Sequence, residues 1–154
     1  MKYRRLTPQE LEPLKEEFLK YLLVANITPE AWEELKKQDN LQAEKHIDTF
    51  SDLVFDKILK DITFVDVINE NRIETYQFLK EKALVYIVEN KEQGTQNLKE
   101  LEWSKLNIES VEISKGEKNI KENREAEVFR TLQKENATIS MGEIFKRVVL
   151  MLVG

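Results

Sequence analysis

The chain has 154 residues, of which 41% are hydrophobic and 34% are charged, with a formal net charge of −5 and no cysteine. This length and hydrophobic content predict a single domain, residues 1–154, with its own core. The lack of cysteine excludes disulfides, thiolate catalysis and cysteine-ligated zinc, and is typical of a reducing compartment, so we expect a cytoplasmic protein. Binding to nucleic acid depends on positively charged surfaces, so the net negative charge argues against this function.

Residues at the N-terminus and the C-terminus argue against membrane association. Basic residues near the start are followed at once by glutamates rather than by an apolar stretch, so we expect no signal peptide. The longest apolar run, residues 148–153, is far shorter than the roughly 20 residues of a membrane-spanning helix.

The first third of the chain carries helix signals. Thr7 followed by Pro8 and Glu10 has the pattern of a capping box, and Thr28 before a proline repeats the start signal for a second short helix. Apolar residues then recur at steps of three and four, which predicts a long helix over residues 41–61.

The middle of the chain has strand composition. Segments 62–68, 73–79 and 83–89 are separated by short polar turns and predict three antiparallel strands joined as a meander. The third segment is apolar without alternation, which indicates burial on both faces and a strand neighbour on each side. We expect residues 108–113 to be that second neighbour, with Gly116 at its exit.

Two helices are predicted at the C-terminus. Residues 121–135 form the first, with Asn136 as its cap, and Ser140 with Glu143 has the pattern of a capping box that opens the last helix. The predicted class is therefore α+β: a helical N-terminal third, a central antiparallel sheet of three or four strands, and two C-terminal helices.

The last helix becomes apolar all round in its final turns. Such a helix is expected to be buried against the sheet or against another chain, and self-association through residues 144–153 is the second of these alternatives. The two C-terminal helices also resemble a helix-turn-helix unit, for which Lys146 and Arg147 are the basic candidates. Packing explains the pattern better.

Three segments, residues 1–7, 50–57 and 124–129, together resemble a family of small uncharacterised bacterial proteins. The resemblance extends over nearly the whole chain and implies a bacterial cytosolic protein. Because that family is known by sequence and not by activity, the resemblance assigns no catalytic residue.

The central segment has a second resemblance. Glu89, Asn90 and Lys91 end the apolar third strand, and Glu74 lies on the strand before it. This order resembles the core of the PD-(D/E)xK nuclease superfamily, in which two carboxylates hold Mg²⁺ and a lysine orients the nucleophile. It implies Glu74 and Glu89 as metal ligands and Lys91 as a catalytic residue. A charged strand end is the ordinary alternative.

Two further features have ordinary interpretations. Asp48, Asp52 and Asp56 recur every four residues, so they form an acidic line along one helix, for which Lys45, Lys57 and Lys60 are expected to compensate. His46 is the only histidine, which makes a histidine metal site hard to build and favours a boundary position with its polar tip in water.

No catalytic constellation is complete in the sequence. The leading hypothesis is therefore a non-enzymatic interaction or accessory protein of the bacterial cytosol that binds no cofactor. The alternative is a divergent Mg²⁺-dependent phosphodiesterase that uses Glu74, Glu89 and Lys91.

Overall fold

A computed structural model describes residues 2–120 and 123–153. The chain divides into two compact units, residues 1–58 and 59–154, and the boundary falls in the last turns of one long helix. Among the described residues, no helix combines the length and apolar character that a membrane span requires.

The first unit is helical. Thr7 and Glu10 form the predicted capping box, and the Thr28 hydroxyl accepts a hydrogen bond from the Ala31 amide, so both predicted helix starts are confirmed. The helices are α1 (Pro8–Leu11), α2 (Lys15–Val24), α3 (Pro29–Gln38) and α4 (Asn40–Lys60).

Pro13 explains why α1 and α2 are separate helices. A 3-10 turn over Glu12–Leu14 contains this proline, which has no amide hydrogen to donate and crowds the preceding turn. Asn26 then adopts a φ of 62°, a left-handed conformation that commonly follows the end of a helix, and α2 ends at Val24.

The negative charges of Asp48, Asp52 and Asp56 on α4 are compensated by residues other than the predicted lysines. The Lys2 ammonium lies 3.0 Å from Asp56, the Arg5 guanidinium lies 2.6 Å from Asp48, and the Lys2 amide donates to Asp52. The expectation that Lys45, Lys57 and Lys60 compensate is therefore wrong. An extended segment can cross the helix and reach several turns, whereas lysines on the helix reach only their own neighbours.

The second unit contains a five-stranded antiparallel sheet in the order β4-β3-β2-β1-β5. The predicted meander is confirmed, and β3 lies between β2 and a later strand as expected. The elements are β1 (Phe64–Ile68), β2 (Arg72–Phe78), β3 (Lys82–Asn90), β4 (Val111–Asn119), α5 (Arg124–Leu132), β5 (Ala137–Ser140) and α6 (Glu143–Val153).

The fourth strand lies later in the chain than predicted. Residues Ile108–Ser110 form a 3-10 turn, and Gly116 lies inside β4 instead of at its exit. A Cβ at Gly116 would lie 2.9 Å from a methyl carbon of Val85, so this glycine permits close packing between strands.

The fifth strand was not predicted. Residues 137–140 pair with β1 where the sequence suggested only a link between two helices, which rules out the helix-turn-helix interpretation. Helix α5 ends at Leu132, shorter than predicted, and residues 121–122 of the predicted helix lie outside the described residues. Ser140 belongs to β5 and binds the Gly142 amide, so α6 begins at Glu143 rather than after a capping box at Ser140.

One face of the sheet forms the main core with α6. Phe145 and Val148 of α6 are buried against Ile73, Tyr86 and Val88 of the sheet, and the Phe145 and Tyr86 rings meet edge to face at 5.1 Å. The inner side of α6 is therefore buried against the sheet of the same chain. This was one of the two predicted alternatives, the other being burial against another chain.

Arg124, the first residue of α5, joins the ends of several elements on the other side of the sheet. Its guanidinium donates hydrogen bonds to four backbone carbonyls: Leu59, Ile62, Phe78 and Leu79. The first two carbonyls flank the connection between α4 and β1, and the other two end β2. One planar, permanently charged group therefore satisfies acceptors at the end of α4, in the link to β1 and at the end of β2.

We expect Arg124→Ala to lower the free energy of unfolding by about 2–4 kcal/mol, because four carbonyls lose a charged donor. Arg124→Lys should recover less than half of this loss, since an ammonium group lacks the planar donor fork. Urea denaturation of both variants measures the effect. Equal stability of the lysine variant and the unaltered protein would contradict this role.

Candidate functional site

The charged face of β2 is the candidate site. Alternation along the strand places Arg72, Glu74 and Tyr76 on the same face, opposite the face that packs against α6. Lys134 follows α5 and reaches this face from the chain segment before β5. The four side chains form what we call the Glu74 cluster.

The Glu74 carboxylate is the centre of this cluster. Only 13% of its side chain is exposed, and it lies 2.9 Å from the Lys134 ammonium and 3.7 Å from the Arg72 guanidinium. The Tyr76 hydroxyl donates to Glu74 and accepts a hydrogen bond of 2.8 Å from Lys134. Every charged group of the cluster therefore has a partner of the opposite sign.

These contacts hold each group in one protonation state. Burial acts to raise the pKa of Glu74, but hydrogen bonds from Tyr76 and Lys134 outweigh it, so the pKa lies below its ordinary value. Burial and the bond to Glu74 raise the pKa of Tyr76. The hydrogen bond to Tyr76 is the main cause of the raised pKa of Lys134. At neutral pH, Glu74 is ionised and Tyr76 and Lys134 are protonated.

The structure places the other predicted site residues around this cluster. Glu89 lies on the same sheet face as Glu74, but its direct strand partner is Arg72, whose guanidinium lies 2.6 Å from its carboxylate. Glu74 is paired across the strands with Ile87 instead. Arg72 therefore contacts both carboxylates that the nuclease resemblance assigns to a metal.

Lys91 follows β3, and its amide donates to the Ser110 carbonyl. Its side chain is exposed and forms no ion pair with another described residue. Within residues 2–120 and 123–153, no group of three or more acidic or histidine side chains has an arrangement that could hold a metal ion.

Sequence reasoning missed Tyr76 and Lys134 as members of the cluster. Tyr76 could have been found from its i+2 spacing to Glu74 on the predicted strand. Lys134 carries no such local signal, because it is 60 residues from Glu74 and reaches it only through the fold. His46 contacts the Tyr21 hydroxyl at 3.1 Å in the helical unit and takes no part in this site.

The end of α6 forms a second notable surface. Leu150, Leu152 and Val153 are 70%, 52% and 81% exposed, which is unusual for three aliphatic residues in one turn. A cavity of about 230 Å³ lies beside them and is lined by Trp103, Arg147, Leu150 and Met151. We call this the α6 surface.

We expect Glu74→Gln to lower the free energy of unfolding at pH 7 by about 1–3 kcal/mol, because Lys134 loses its charged partner. The folded pKa of Glu74 is depressed below its ordinary value of 4.5, so its stabilisation is present above that pH. The difference from the unaltered protein should shrink as pH falls through the folded pKa.

Urea denaturation at several pH values measures this difference. Glu89→Gln is the matched control, since its more exposed pair with Arg72 should contribute less than about 1 kcal/mol. A Glu74→Gln effect that stays constant down to pH 2 would contradict the ion-pair account.

Residues 1–152 match a family of unknown function, DUF6495. No curated protein and no solved structure matches the chain. The match covers almost the full length, so the chain belongs to the DUF6495 family.

Proposed function

We propose that this protein is a non-enzymatic interaction module that binds a protein partner through the α6 surface. The partner is expected to present an apolar surface bordered by acidic side chains. The exposure of Leu150, Leu152 and Val153 in a single helical turn is the observation that carries the proposal.

The position of these residues supports a docking role. Phe145 and Val148 already anchor α6 in the core, so the last turn is not needed to hold the helix. The cavity beside Trp103 offers a partner side chain an apolar recess, and such recesses are where binding hot spots concentrate.

The charge of the α6 surface indicates what borders the partner's apolar area. Lys146 and Arg147 lie one turn before the exposed aliphatic residues, and both are exposed. Arg147 forms no ion pair with another residue that the structure describes. Acidic residues at the partner's rim would complement this charge.

The Glu74 cluster supports the non-enzymatic part of the proposal. A general acid or base works best when its pKa lies near the working pH. Here the pKa of Glu74 is lowered and those of Tyr76 and Lys134 are raised, so all three move away from neutrality. The cluster is suited to holding strands and a loop together.

The setting of this function is also a proposal. The absence of cysteine supports a reducing compartment, and the resemblance to small bacterial proteins supports a bacterial source. We therefore place the interaction in the bacterial cytoplasm.

A photo-crosslinking amino acid at position 153, in cells of the native host, should capture one specific partner that mass spectrometry identifies. Leu150→Asp should then weaken binding of the purified partner by about tenfold or more, because a charge enters a desolvated interface. Isothermal titration calorimetry measures this change.

Leu41→Asp is the matched control, since Leu41 is an equally exposed leucine, at 73%, in the helical unit. Its affinity should equal that of the unaltered protein. An equal loss of affinity in both variants, or no loss of affinity in either, would contradict specific binding through the α6 surface.

A divergent Mg²⁺-dependent phosphodiesterase is the second candidate function. The observation that favours it is the common sheet face of Glu74 and Glu89. Against it, Arg72 contacts both carboxylates, so a metal ion would have to displace a bound guanidinium.

A titration with Mg²⁺ or Mn²⁺, followed by thermal unfolding, separates the two candidates. The interaction module should show no rise in Tm up to millimolar metal, because only ligands that bind the native state stabilise it. A metal-dependent rise that is lost in Glu89→Ala would support the phosphodiesterase and overturn our proposal.

A further inference from the structure

The outer edge of β4 is a second surface without a partner. β4 is the first strand in the sheet order, so within the described residues only β3 pairs with it. The strand is nine residues long, and most of its second half is exposed. A long strand edge with unpaired backbone groups is a template for another strand.

The register shows which backbone groups point outward. The Lys91 amide donates to the Ser110 carbonyl, and the Ile120 amide donates to the Glu81 carbonyl. Lys91 with Ser110 and Glu81 with Ile120 are therefore hydrogen-bonded pairs at the two ends of the β3–β4 ladder. In an antiparallel ladder every second residue of a strand bonds to the neighbouring strand in this way. The residues between them direct their amides and carbonyls away from that neighbour. The residues of β4 whose backbone groups point away from β3 are Val111, Ile113, Lys115, Glu117 and Asn119. The Val111 amide donates to the Ile108 carbonyl, so the edge that another strand can pair with begins at Ile113.

We propose that β4 pairs antiparallel with β4 of a second copy of this chain, about a two-fold axis at Gly116. The backbone of Lys115 then exchanges hydrogen bonds with Glu117 of the second copy, and Ile113 does so with Asn119. Symmetry repeats both pairs on the other side of the axis. The two sheets become one continuous sheet.

Side-chain charge selects this register. Lys115 and Glu117 lie on the same face of β4, so each lysine would stand directly opposite a glutamate of the second copy. A register centred on Lys115 would place two lysines opposite each other, which is unfavourable. The sequence of the edge is thus complementary to itself when read in the antiparallel direction.

Gly116 favours close approach at the axis. In the proposed pairing it faces Gly116 of the second copy at a position without backbone hydrogen bonds, where the Cα atoms lie about 4.5 Å apart. No side chain occupies this contact. This self-association uses a different element from the α6 surface, so it does not rest on the proposed function.

Charge reversal tests the proposal by analytical ultracentrifugation. Lys115→Glu and Glu117→Lys should each raise the dimer dissociation constant about tenfold or more, because each places like charges opposite each other twice. An equal mixture of the two variants should restore dimers, since every pair is again of opposite charge. Glu117 pairs with the exposed Lys82, and the Lys115 ammonium lies 5.8 Å from the centre of the buried Tyr86 ring. Both contacts are weak, so each variant should lower the Tm by no more than about 2–4 °C.

A backbone variant supplies an independent check. Lys115→Pro removes an amide that points away from β3, so it should abolish dimers and leave the fold intact by circular dichroism. An unaltered protein that is monomeric at 100 µM would overturn the proposal. Dimers that persist in Lys115→Pro, or a mixture that fails to restore association, would overturn it equally.

Discussion

The second unit depends on the four hydrogen bonds that the Arg124 guanidinium donates to backbone carbonyls. These carbonyls lie where α4 passes into β1 and where β2 ends, which are positions that strand pairing does not satisfy. Buried acceptors need donors, and a single arginine supplies them from the start of α5. Asn123 caps the start of α5, the Arg124 contacts hold that start beside the end of β2, and α5 in turn leads to Lys134 and to β5.

The two faces of the sheet have different consequences for function. One face is apolar and buries Phe145 and Val148, which anchors α6 and leaves its last turn outside the core. The other face carries the Glu74 cluster, in which each charge is neutralised by a neighbour. The charged groups of this face thus bind one another, whereas the end of α6 and the outer edge of β4 are exposed surfaces of the described residues.

Local signals predicted most of the elements, and long-range contacts account for what was missed. Thr7 and Thr28 cap helices because capping needs only the next three residues. Strand β5 has four residues and forms only because β1 lies beside it, so no periodicity reveals it. The same reason applies to the site: the resemblance to the nuclease core points to Glu74 on the predicted second strand, but its partner Lys134 depends on the path of the chain through α5.

We propose that the Glu74 cluster is a fixed ion-pair network and not a catalytic site. The most direct measurement is an NMR titration of the Glu74 carboxyl carbon and of the Tyr76 ring. We expect the pKa of Glu74 to lie below 4.5 and that of Tyr76 above 10.0, because each charge state is held by its neighbours. A pKa near 7 for either group would contradict this account and return the cluster to the candidates for catalysis.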